Sequence, residues 1–313
     1  MDEPSESDLD PGQLEPPRDP VREETEERYG RPDADRLSEA TLARIGQRRT
    51  GATAAAFFDL DKTVIARSST FVFGRTFMKD GLISTSTVIK GMYAQAVYQL
   101  VGADHGRMEQ MRAASLELTK GWEADRVRRL VEETVEELVA PLVFQEALDL
   151  FDEHRKARRD IWNVSLAAHE IVAPFARHLG IHDVIATQSG VDDDGRYDGT
   201  LDFYAYAANK ATAIRQVSEV RGYDLAASYA YSDSVTDMPF LAAVGNPMAV
   251  NPDRELRAAA QAMGWPMQDF ASPVTLRSRL PDIERPRNEV LVGTLTALAA
   301  GVVAWRVLSR GYE

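Results

Sequence analysis

The sequence predicts an α/β fold, a doubly wound parallel sheet (Rossmann-like) carrying an inserted helical cap, on three observations. Short apolar runs stop abruptly at polar residues, helical periodicities alternate with those runs, and one gap between runs is far longer than a crossover needs. At 313 residues, with 44% hydrophobic and 27% charged side chains, the chain can bury a full core without staples. It has no cysteine, which removes disulfides, thiolate nucleophiles and cysteine zinc sites, and five histidines leave little for a histidine metal cluster. A net charge of -13 argues against nucleic acid as a partner, since that binding needs a basic face.

Residues 1–50 read as a disordered, acidic, proline-rich tail. Residues 1–40 hold 14 acidic and 5 basic side chains and six of the 15 prolines. Such a stretch cannot bury enough apolar surface to offset its ordering entropy. It also lacks the basic start and apolar core of a secretory leader, which fits a cytoplasmic location.

The apolar run at 54–58, ending at Asp59, predicts a first strand buried on both faces. Further strands are expected at 160–165, 228–232 and 247–251, with helices at 169–179, 209–221 and 234–244. About 100 residues separate the first two strands, and their periodicities at Val88 to Leu100 and Val127 to Leu138 are helical. The expected organisation is thus a catalytic core from 51–66 and 158–275, a cap over 67–157, and a linker with an apolar helix over 276–313.

Doubly wound sheets hold ligands at the carboxyl ends of their strands, so the residues there carry the functional reading. Asp59 and Asp61 follow the first strand within Asp-Leu-Asp-Lys-Thr, Ser165 ends the second, Lys210 opens a helix, and Asp233 and Asp237 follow another strand. Clustered carboxylates suit a hard cation such as Mg2+, and a lysine can neutralise phosphoryl oxygens that the cation does not reach. One carboxylate attacking phosphorus, with a neighbour protonating the leaving alkoxide, makes a two-step hydrolysis through an aspartyl phosphate.

These residues carry a resemblance. Positions 54–270 resemble the haloacid dehalogenase superfamily, subfamily IB, the phosphoserine-phosphatase-like hydrolases, through FFDLDKT at 57–63, the VS of WNVSLAAHEIVAPFARHLGI, GRYDGTL near Gly195, NK at Lys210, and YSDSVTDMPFLAAVGNPMAVNPD at 231–253. The resemblance implies Asp59 as nucleophile, Asp61 as general acid and then base, and Thr63, Ser165 and Lys210 as phosphate holders. It further implies Asp59, Asp61 and Asp233 as the Mg2+ site, with Asp237 supporting the metal or the lysine. Ser68 stands where phosphoserine phosphatases carry the glutamate that reads the substrate amine, which argues against phosphoserine as substrate. The expected activity is a magnesium-dependent phosphomonoester hydrolase acting on a small phosphorylated metabolite or a lipid-related phosphate. The alternatives are a phospho-acceptor signalling domain, disfavoured by the long insertion after Asp59, and a catalytically silent scaffold.

Residues 290–305 contain no charged side chain, which is short of a comfortable span, and arginines flank both sides. Segment 290–308 is therefore expected to attach the protein to the cytoplasmic face of the membrane, to mediate self-association, or to dock on the protein's own surface.

Overall fold

A computed structural model describes residues 35–48, 50–83 and 105–271. All belong to the first of the chain's two units, Met1–Val274; the second, Thr275–Glu313, lies outside the described residues, as do the 88–100 periodicity and segment 290–308. Among the described residues no helix is long and apolar enough to cross a membrane.

Strand β1 (Ala55–Phe58) is central because every side chain on it is apolar and buried. Alternation sends Ala55 and Phe57 to one face and Ala56 and Phe58 to the other, so each face nucleates its own core. Parallel partners flank it: β2 (Asp160–Ala168) on one side and β5 (Tyr229–Ser232) on the other. The sheet has seven strands in the order β4-β3-β2-β1-β5-β6-β7, with β3 at Asp183–Val191, β4 at Tyr197–Phe203, β6 at Asn246–Val250 and β7 at Met267–Gln268. Every pairing is parallel except β3 with β4.

Nine helices of four or more residues surround the sheet among the described residues: α1 (Glu39–Gly46), α2 (Ser69–Lys79), α3 (His105–Thr119), α4 (Ala124–Val139), α5 (Gln145–Lys156), α6 (His169–His178), α7 (Ala208–Arg221), α8 (Met238–Leu241) and α9 (Arg254–Met263). Phe58 stacks on Tyr231 at 4.2 Å between ring centroids and meets Phe151 of α5 edge-on at 4.8 Å. Fully burying such a ring contributes about 1.5–3 kcal/mol, which fixes α5 against the sheet. On the other face Phe57 and Trp162 pack with Ile214 and Val217 of α7.

The insertion after β1 is helical, as expected, with Val127, Val131 and Val135 forming the buried stripe of α4. Its two ends meet: Ala66 N donates to Leu142 O at 2.9 Å and Phe144 N to Val64 O at 3.0 Å. The return to the sheet therefore falls near Phe144, earlier than residue 157, because α5 packs on the sheet through Phe151. The structure also departs from the sequence reading before residue 50. Helix α1 forms there, its N-cap Ser38 accepting from Thr41 N, and Leu37 and Ile45 bury against the α7 face of the sheet. The helix expected at 234–244 is only a 3-10 turn (Val235–Asp237) followed by the four-residue α8.

Candidate active site

The parallel register aligns the carboxyl ends of three strands. Phe58 is level with Asn163 of β2 and with Tyr231 of β5, so Asp59, Ser165 and Asp233 emerge at one edge of the sheet. Asp59 N donates to Tyr231 O at 2.9 Å, which carries the β1–β5 pairing one residue past the strand. Beyond it the backbone turns, with Lys62 in the left-handed region at φ 60. A lysine there is held against its steric preference, as residues in functional loops often are.

Lys210 sits in the first turn of α7 and is buried, yet its ammonium reaches two carboxylates: Asp59 Oδ1 at 2.7 Å and Asp237 Oδ2 at 2.7 Å. The turn that aims it is strained, because Ala207 before α7 has φ 47. Ser232 Oγ donates to Asp237 Oδ2 at 2.6 Å and so holds the far carboxylate in place. Burial acts to lower the Lys210 pKa, but Asp237 and Asp59 outweigh it and raise the ammonium above its ordinary value. Lys210 is therefore a permanent cation in the site.

Burial pushes the Asp59 carboxyl well above the usual range; Lys210 opposes this, while Asp237 and Asp233 add to it by repulsion. Asp233 is pushed up to about 7, chiefly by burial, with Lys62 opposing and Asp237 reinforcing. The Lys62 ammonium lies 3.7 Å from Asp233 Oδ2. The edge thus holds more buried negative charge than its lysines neutralise comfortably. That surplus, made only of oxygen donors, fits a hard divalent cation.

Asp61 is tied to the insertion. Its Oδ1 accepts from Ser69 N at 2.8 Å, at the N-terminus of α2, where the N-cap Ser68 makes no side-chain cap bond. Asp61 thereby caps the first helix of the insertion. Burial raises its pKa, with the Ser69 N–H opposing. Accordingly no group of three histidine, aspartate or glutamate side chains is gathered as a preformed metal cluster among the described residues.

Ser165 is buried, and its Oγ accepts from Ala167 N at 3.2 Å, so it is not a helix N-cap; α6 starts later, after Ala168. Thr63 is fully buried, and its hydroxyl has no hydrogen-bond partner among the described residues. The structure therefore brings Asp59, Lys210, Asp237 and Asp233 together, places Asp61 and Ser165 beside them, and sets Thr63 beneath the loop.

Three contributors escaped the sequence reading. Besides Lys62, Asp253 accepts from Val235 N at 2.9 Å and caps α9 through Leu256 N at 2.7 Å, tying β6 to the Asp233 loop. Asn251, at φ 46, donates from Nδ2 to Lys62 O at 2.8 Å and accepts from Phe270 N at 2.7 Å. The signal was the Asn-Pro-Asp that follows a strand, a turn sequence whose partners outside its own helix are 18 to 189 residues away.

A model of the haloacid dehalogenase-like hydrolases matches residues 56–242. The chain belongs to this family, and it is an enzyme with a phosphoserine-phosphatase-like fold. It is 47% identical over 250 residues to an inhibition of morphological differentiation protein of Streptomyces azureus, covering 80% of this chain and 90% of that one. It is 46% identical over 263 residues to a probable phosphatase of Mycobacterium tuberculosis strain H37Rv, covering 83% and 90%. A solved apo phosphoserine phosphatase shares the fold at a TM-score of 0.50 and 13% identity, over 73% of this chain and 100% of that one.

Proposed function

We propose that this chain, a haloacid dehalogenase-type phosphatase, is a magnesium-dependent phosphomonoesterase that works through an aspartyl phosphate. The observation that carries the reading is the buried Lys210 bonded at once to Asp59 and Asp237, beside a carboxylate surplus at the edge of a parallel sheet. Asp59 and Asp233 would hold Mg2+, with Asp61 contributing what its bond to Ser69 leaves available. When bound, the cation supplies charge neutralisation at the phosphoryl oxygens and among the carboxylates.

An Asp59 carboxylate oxygen attacks phosphorus, and the bond to the leaving alkoxide oxygen breaks. Asp61, kept protonated more readily by burial, delivers its proton to that alkoxide. The resulting Asp61 carboxylate then takes a proton from water, whose oxygen attacks phosphorus and displaces the Asp59 carboxylate. Lys210 balances charge on the phosphoryl oxygens throughout, and Ser165, whose oxygen already accepts a bond, donates its proton to one of them.

Ser68 at the mouth of α2 supports a substrate other than phosphoserine, a small phosphorylated metabolite or lipid-related phosphate. The cysteine-free composition and uncharged 290–305 stretch support a cytoplasmic enzyme attached to the membrane face or to itself through 290–308. Phosphate release from phosphorylated amino acids, sugars, glycerol phosphates and lysophospholipids, with and without Mg2+, tests the reading. Turnover in excess chelator would defeat the metal requirement, absence of turnover on every ester would favour a silent scaffold, and a tenfold preference for phosphoserine would overturn the reading of Ser68.

A further inference from the structure

Strand β4 pairs with β3 only from Gln188 to Val191, so among the described residues the outer edge of β3 from Asp183 to Thr187 has no strand beside it. Helices α1 and α6 flank that edge and leave a groove of about 370 Å3, within the range of small-ligand sites. Its rim carries Arg44 from α1, Arg48 just past that helix, Arg177 and His169 from α6, and His182, against one acid, Asp183. This is a basic concavity on a chain whose net charge is -13.

The acid in the wall is already occupied. Buried Arg221 holds Asp183 at 2.7 Å, and Arg48 lies 3.8 Å from the same oxygen while donating to His182 O at 3.2 Å. Arg177 pairs with Glu132 at 3.0 Å on the exposed side, whereas Arg44 makes no ion pair among the described residues. His169 is held neutral, first by burial and then by Arg44, Arg128 and Arg177, with Glu170 opposing. The floor is apolar, formed by Ile45, Ile181 and Trp162, all buried. Donors around an apolar floor match an oxyanion carried on a small apolar body.

We infer that this groove is a second binding site, separate from the catalytic edge, for a small organic anion bearing a phosphate or carboxylate. Three of its lining residues, Thr41, Arg44 and Ile45, come from α1, which precedes the residues 56–242 matched to the family. His169 is the first residue of α6 and follows Ser165 by four positions, which gives an occupant a short covalent path to the phosphate-holding hydroxyl.

Phenylphosphonate, a non-hydrolysable anion with an apolar body, is a suitable probe, and the ring signals of His169 and His182 in the NMR spectrum of the full chain report the groove. Saturable shifts of both rings are expected, unchanged in Lys210→Met, weakened at least tenfold in Arg44→Gln, and partly restored in Arg44→Lys. Arg44 is exposed and makes no ion pair among the described residues, so its replacement is expected to leave the melting temperature in place. Loss of the shifts in Lys210→Met would assign the binding to the catalytic edge and overturn the proposal. Full retention in Arg44→Gln, or no saturable shift at all, would do the same.

Discussion

The two ends of one sheet each bury a cation between two aspartates, and they use it differently. At the carboxyl edge, Lys210 bridges Asp59 and Asp237. At the amino edge, Arg221 lies 2.7 Å from Asp183 and 3.6 Å from Asp160. The amino-edge group is held on nearly every side: Tyr223 and Thr50 donate to Asp160, Arg221 donates to Arg48 O, and the guanidinium stacks over Trp162 at 5.3 Å, with only Arg221 Nε unpartnered among the described residues. The carboxyl-edge group is left open, with Asp233 pushed up to about 7 and strained backbone at Lys62 and Ala207. A buried ion pair is thus no mark of function by itself; uncompensated charge next to strained loops is.

Substitutions at the two edges should separate these roles. The largest effect is expected for Asp59→Asn, a fall in kcat of about 10³-fold or more with an unchanged melting temperature, because no other group can take the phosphoryl. In kcat/KM, which reports the first phosphoryl transfer, Asp61→Asn should cost about 10²–10⁴-fold with alkyl phosphates and much less with p-nitrophenyl phosphate, whose leaving group needs no proton, while dephosphorylation slows alike for both. Equal losses on both esters would remove Asp61 from the acid role. Lys210→Met should cost about 10²–10³-fold in kcat. Arg221→Met should instead lower unfolding free energy by about 3 kcal/mol in urea titrations, with kcat of the folded fraction near normal, since it removes the buried cation that lies against the part-buried Asp183 and Asp160. Comparable loss of activity in Arg221→Met would erase the distinction between the edges.

A smaller contrast lies between them at His154, whose Nε2 lies 2.8 Å from Tyr231 Oη. Burial and then Arg159 lower its pKa to about 4. The unfolded chain takes up this proton near pH 6.5 and the folded one does not, so the contribution is complete above 6.5 and is lost as pH falls toward 4. About 3 kcal/mol should disappear over that window, and His154→Gln should flatten this part of the stability profile.

The carboxyl edge was legible because its chemistry is local: each functional side chain directly follows an apolar run or opens a helix. FFDLD and YSDS could be read as strand ends from burial pattern alone. The amino edge was not, since Arg221, Asp160 and Asp183 belong to three elements whose alignment only the sheet supplies. Strand β4 also escaped: YDGTLDF is polar and half-exposed along its length, as an edge strand is, and gives no apolar run. The bond from Ser69 N to Asp61 was not legible, because it depends on how the first helix of the insertion is set against the loop after β1. Helix α1 was hidden by the acidic composition around it; Leu37, Leu42 and Ile45 pack it on the core, and Gln216 Oε1 accepts from Leu37 N at 3.0 Å.

The central claim is that phosphoryl passes through Asp59. Asp61→Asn enzyme with Mg2+ should be mixed with p-nitrophenyl phosphate, quenched in acid within the first turnover, and mapped by peptide mass spectrometry. Up to one phosphoryl group per chain is expected, on Asp59, absent from Asp59→Asn and released by hydroxylamine. Phosphate on another residue, or turnover with none bound to the protein at any quench time, would contradict it.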